Sequence, residues 1–126
     1  MNYKFVFDIL PVAKERPRFS NRGGFVRAHT APKTRAFESS LALMARAQMV
    51  GKPLLDGALV AQALFEFEKP KKTKLQSPKK DLDNLCKSLF DSLNAVVYFD
   101  DTQICSLMAI KSWGERDKIT LVIGAL

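Results

Sequence analysis

At 126 residues, 47% of them hydrophobic and 26% charged, the chain has the size and composition of one globular domain, which excludes a disordered segment. A formal net charge of +7 favours a polyanionic partner, most simply nucleic acid. No apolar run approaches membrane-spanning length, and the opening MNYKFVFDILPVAK, interrupted by Asp8 and Pro11, lacks a signal-peptide cleavage site.

Tyr3 to Leu10 alternates, with Tyr3, Phe5, Phe7 and Ile9 on one side, and predicts a strand that Pro11 ends. KERPRFSNRGGFVR follows, carrying Lys14, Arg16, Arg18, Arg22 and Arg27 around a Gly23-Gly24 turn. A solvated loop is the plain reading of this segment; a hairpin that grips phosphate, with Phe19 and Phe25 anchoring it or stacking on bases, is the functional one. Pro32 to Val50 has helical spacing, with Phe37, Leu41, Met44 and Ala45 on one side and Gly51 as its stop. After a turn at 53–57, Leu59, Ala61, Ala63, Phe65 and Phe67 alternate along the clearest strand in the chain. The next segment, residues 69–80, holds six lysines and two prolines and predicts a mobile loop.

The loop leads into KKDLDNLCKSLFDSLNAVVYFDDTQ, residues 79–103, which concentrates Asp81, Asp83, Asp100 and Asp101 in a basic chain. Leu82, Leu85, Cys86, Leu89, Phe90 and Leu93 recur at the spacing of one buried helix face. Asp81 occupies the N-cap place, Asp83 the first turn, and Lys87 lies one turn further along, in reach of Asp83 or Asp91. Capping and surface pairing account for any one of these residues alone. The combination with Asp100-Asp101, which opens the next apolar run, suggests carboxylates converging on a hard cation such as Mg²⁺. Ile104–Lys111 and Lys118–Ala125 then read as strands joined in a hairpin through residues 112–116. Cys86 and Cys105 fall in apolar periodic runs without metal-ligand spacing, so both are expected as reduced core thiols of a cytosolic protein. The strand at 58–68, helix at 81–94 and strand at 103–111 have the lengths of a crossover unit with parallel strands. The expected fold is a single α+β domain, a mixed β-sheet with two main helices packed mainly on one face.

The pattern Asp81-Leu82-Asp83-Asn84-Leu85, Lys87, Asp91, Leu93, Asn94, then Asp100-Asp101, Gln103 and Ile104 resembles the RusA family of Holliday junction resolvases, common in phages and prophages. Lys14-Glu15-Arg16-Pro17-Arg18 and Lys33-Thr34-Arg35 are similar to basic segments of phage members. Where the family usually has glycine after the helix-ending Asn, this chain has Ala95, which predicts that Asn94 itself takes the left-handed cap.

The resemblance implies a homodimeric, Mg²⁺-dependent endonuclease, with Mn²⁺ as a substitute and no organic cofactor, that nicks four-way DNA junctions symmetrically in recombination and repair. By the same resemblance Asp81, Asp83 and Asp101 hold metal, Lys87 is essential for cleavage, and Lys80 contacts DNA. Spacing alone does not separate Asp100 from Asp101. Lys14, Arg16, Arg18, Lys79 and Lys80 are the expected DNA-binding residues. Two alternatives are a nuclease acting on other branched or flap DNA, and a non-catalytic DNA-binding domain in which the acids are caps and ion-pair partners.

Overall fold

The structure, a computed structural model, describes residues 2–15, 18–22, 25–29 and 31–126. Among the described residues six strands and two α-helices follow in the order β1 (Asn2–Phe7), β2 (Arg18–Arg22), β3 (Phe25–His29), α1 (Pro32–Gln48), β4 (Leu59–Glu68), α2 (Leu82–Ser92), β5 (Ile104–Gly114) and β6 (Lys118–Ala125). Four strands form a mixed sheet in the order β1-β6-β4-β5, and β2 pairs with β3 as a separate antiparallel hairpin.

The alternation in the sequence sets which side of the sheet is covered. Tyr3 lies beside Ile123 and, across β6, in line with Ala61; Phe5 and Leu121 align likewise with Ala63, and Phe7 and Ile119 with Phe65, so three strands present one continuous apolar face. All nine side chains are buried, as the period-2 pleat requires when helices cover one face only. From α1, Phe37, Leu41 and Ala45 meet that face; from α2, Leu85, Leu89, Phe90 and Leu93 do. Cys86 is buried among them, and burial together with the Asp83 carboxylate pushes its thiol up to about 11.

Strands β4 and β5 are parallel, with α2 in the connection between them, as the crossover lengths predict. The predicted hairpin between the last two strands does not form. The chain leaves β5 at Gly114 and returns as β6 on the far side of β4, antiparallel to β4 and β1. A turn signal reports that the chain reverses; it carries no information about a third strand lying between the two arms. The displacement leaves β5 as the edge of the sheet, and Cys105 at its start is exposed rather than in the core.

One further expectation is corrected at the end of α2. The left-handed residue is Ala95 (φ 62°), not Asn94. Ala95 donates its N–H to the Tyr98 carbonyl at 2.8 Å, closing the turn that carries the chain toward Asp100. Tyr98 is wholly buried, and its hydroxyl donates to the Phe90 carbonyl at 2.5 Å, fastening this turn to the helix. The lysine-rich segment 69–80 is irregular and largely exposed. Trp113 Nε1 donates to the Leu75 carbonyl at 3.0 Å and Lys111 Nζ to the Lys80 carbonyl at 2.7 Å, which tie the segment to β5.

Candidate active site

Asp83, Lys87 and Asp91 follow one another at intervals of four along α2, so their side chains form one polar stripe opposite the buried face. Asp101 approaches this stripe from the turn after the helix. Asp83, Cys86, Lys87, Phe90, Asp91, Asp101, Ile104 and Leu107 line a single open pocket between α2 and the start of β5.

The turn that delivers Asp101 is held by a set of polar side chains. Gln103 accepts from the N–H groups of Phe99 (2.8 Å) and Asp100 (2.9 Å) through Oε1, and donates through Nε2 to the carbonyls of Leu55 (3.1 Å) and Gly57 (3.0 Å). Asp100 caps the single 3₁₀ turn Asp101–Gln103, accepting from the Thr102 N–H at 3.1 Å. The Thr102 hydroxyl and N–H hold the Asp100 carboxyl below the usual carboxylate range. Asn94 Oδ1 accepts from the Asp101 N–H at 2.8 Å, which turns the Asp101 carboxylate into the pocket. The two adjacent aspartates therefore do different work: Asp100 is used by its own backbone, and Asp101 faces the stripe.

Partial burial raises the Asp101 carboxyl above its usual range, and contact with the Asp91 carboxylate adds to that, as do the charges of Asp100 and Asp91; the Asn94 side chain opposes the shift. Two carboxylates in contact repel each other unless a proton or a cation lies between them. Asp91 is flanked by Lys14 Nζ at 3.3 Å and Lys87 Nζ at 3.7 Å, and Lys14 also reaches Glu38 of α1 at 2.5 Å. Burial alone would lower the Lys14 ammonium, but its hydrogen bonds and charge interactions with Glu38 and Asp91 prevail and raise it. The Lys87 side chain is 62% exposed, against 20% for Lys14, so Lys87 is the cation open to a bound substrate.

Asp81 stands elsewhere. It occupies the N-cap position of α2 without a side-chain capping bond. Its carboxylate accepts from Asn84 Nδ2 at 3.4 Å and opens onto a neighbouring cleft lined by Lys14, Glu15, Lys33, Lys79, Lys80 and Asn84. The expected phosphate-binding lysines 79 and 80 are thus brought together with Lys33 at the entrance of α2. Arg16 lies outside the described residues, and Arg18 is described only as the first residue of β2.

Hard carboxylate oxygens facing one pocket, two of them in contact, suit a hard divalent cation in their chemistry. Among the described residues no group of three or more His, Cys, Asp or Glu side chains is drawn together as a ready-made cation cage. Asp91 was outside the expected site set, although its place four residues after Lys87 and eight after Asp83 was the signal that could have found it.

Two comparisons bear on this geometry. The chain is 30% identical over 127 residues to an uncharacterized protein of Bacillus subtilis (strain 168), YqaN, covering 90% of this chain and 89% of the relative. The family described as Endodeoxyribonuclease RusA matches residues 8–124, a span that includes the whole acidic stripe, the Asp101 turn and the β5 edge of the sheet. A nuclease family fits a basic chain with an acidic pocket, and the chain belongs to the RusA endodeoxyribonucleases.

Proposed function

We propose that the protein is a Mg²⁺-dependent resolvase that nicks four-way DNA junctions as a homodimer, acting in recombination and repair in the host cytosol. The observation that carries this reading is the convergence of Asp83, Lys87, Asp91 and Asp101 on one pocket of a chain with net charge +7.

Phosphodiester hydrolysis builds negative charge on the phosphorus oxygens and on the leaving oxygen, so it needs positive charge placed in advance. Mg²⁺, with Mn²⁺ as its substitute, would be held by Asp83 and Asp101, and by Asp81 only once its carboxylate turns from the neighbouring cleft toward the pocket, with Asp100 the least supported ligand; when bound it would supply an acidified water and neutralise charge on the phosphate. Asp100 is weaker in this role because its carboxylate already caps the 3₁₀ turn. Lys87 presents its ammonium to the scissile phosphate and stabilises the charge that develops there. Lys79 and Lys80, beside Lys33 in the adjoining cleft, hold the flanking backbone as point charges, with Arg16 and Arg18 of the basic segment as further phosphate partners.

A second copy fits along β5. This edge strand runs ICSLMAI from Ile104 to Ile110 without a charged residue, and Leu107, Met108 and Ile110 are exposed. Edges of this kind are normally blunted by charge, proline or a bulge. A two-fold axis there would place one acidic pocket on each of two opposed strands of a junction.

The deciding experiment incubates wild type and Asp83→Asn with labelled four-way, three-way, flap and linear duplex DNA, with and without Mg²⁺ or Mn²⁺. Wild type should cut the four-way junction in paired positions only with metal. Asp83→Asn should bind it as well or better, since less negative charge faces the phosphates, yet leave it intact. Equal cutting of linear duplex, or near wild-type cutting by Asp83→Asn, would reject the reading.

A further inference from the structure

Lys14 has the look of a DNA-gripping residue in the sequence, but its surroundings give it a different task. Its backbone is fastened to α2 at two points: the Lys14 N–H donates to the Asn84 carbonyl at 2.8 Å, and the buried Ser88 hydroxyl donates to the Val12 carbonyl. Its side chain is mostly covered, and its ammonium lies between Glu38 of α1 and Asp91 of α2. Asp91 in turn faces Lys87, the more exposed cation of the pocket, at the longer distance of 3.7 Å.

We infer that Lys14 is a positioning residue: it neutralises Asp91 and thereby leaves Lys87 free to meet the scissile phosphate. The physical reasoning is competition for one carboxylate. Asp91 shares its pocket with the Asp101 carboxylate, and that like charge leaves it in need of a cation. With Lys14 seated against it, that need is met from the protein side. Without Lys14, the nearest remaining ammonium is that of Lys87, one helical turn away, and its flexible stem lets it fold back onto Asp91. Lys87 would then be drawn out of the position a phosphate requires. Glu38 is the second anchor, holding the Lys14 ammonium at the junction of the two helices.

This inference rests on the proposed cleavage reaction, so the test has one arm with DNA and one without. In the first, single-turnover cleavage of a four-way junction is measured for Lys14→Met, Asp91→Asn and the double variant, beside junction affinity across a salt series. Lys14→Met should cut roughly 10- to 100-fold more slowly, with the salt slope of binding unchanged. In the Asp91→Asn background the same substitution should have no further effect, because a carboxamide does not compete for Lys87. If Lys14 grips phosphate instead, the slope falls by about one, the loss persists in the Asp91→Asn background, and the inference is overturned. Should Lys14→Met fail to fold, the double variant decides against Asp91→Asn alone: equal rates support the inference and a slower double variant refutes it. The second arm uses thermal unfolding of the free protein. Lys87→Ala should leave the melting temperature of wild type nearly unchanged but lower that of Lys14→Met, since only there does Lys87 carry Asp91. Equal shifts in both backgrounds would overturn the inference even if wild type cut no DNA at all, an outcome that would separately reject the cleavage reading.

Discussion

Lys87 shows how one side chain separates chemistry from stability. Its ion pair with Asp91 is long at 3.7 Å, and its side chain is 62% exposed, so the pair is a surface contact of the kind that contributes about 0.3–0.5 kcal/mol. Lys87→Ala should therefore hardly alter thermal unfolding. A preorganised charge facing a developing phosphorane is another matter, and its loss should slow single-turnover cleavage by roughly 10²- to 10³-fold. Lys87→Arg keeps the charge but replaces a compact ammonium with a planar fork, and should also be impaired. Full activity in Lys87→Ala would remove this residue from the mechanism. Gln103 illustrates the opposite case, a residue that touches no substrate. Four hydrogen bonds from its one amide fix the turn that carries Asp101, which gives a physical reason for glutamine two places after the paired aspartates.

The end of α2 is the element with the clearest internal strain. Ala95 occupies the left-handed region at φ 62°, where its Cβ crowds the backbone and glycine does not. Ala95→Gly should stabilise the protein by about 0.5–1 kcal/mol after the extra freedom of glycine in the unfolded chain is counted. A higher denaturation midpoint with an unchanged slope would show it; a lower midpoint would mean that the Ala95 methyl contributes packing. The sequence made the elements themselves legible, because each helix and strand buries one face and its residues keep the corresponding period: α2 through Leu85, Leu89 and Leu93, β4 through Leu59 to Phe67. Their partners were less legible. The reversal at 112–116 looked like a hairpin because the insertion of β4 between β5 and β6 is a long-range pairing with no local signature. The acids around the pocket were visible as a cluster, yet the position of Asp91 in the pocket with Asp101 was hidden, since on a helix wheel it reads as an ordinary solvated partner for Lys87. The ion pairs of Lys14 were hidden for a related cause: a lysine in a basic segment is indistinguishable from its neighbours until Glu38, 24 places further along, folds against it.

At the scale of the whole molecule, one sheet face is covered by two helices and the other is not. Leu64, Met108, Ile110, Thr120 and Val122 border a shallow apolar depression on the uncovered side, and Met108 and Ile110 continue it to the β5 edge. If a second copy pairs along that edge, wild type should have twice the chain mass in light scattering, and Met108→Lys combined with Ile110→Lys should halve it without loss of helical or strand content. Lysines are suited to this test because they are a natural means of blocking edge pairing. A variant that remains dimeric would move the seam to another surface.

The four charged side chains of the pocket all come from the uninterrupted run Asp83 to Asp101, which lies between two strands paired in parallel. The segments proposed to grip the polyanion lie before it: the β2–β3 hairpin and the lysine-rich stretch 69–80. On the proposed reading, reaction and recognition are written in separate passages of the chain. Insertions, deletions or exchanges in the recognition passages leave the catalytic spacing intact, so descendants of this fold are free to explore new DNA shapes while inheriting the same hydrolysis.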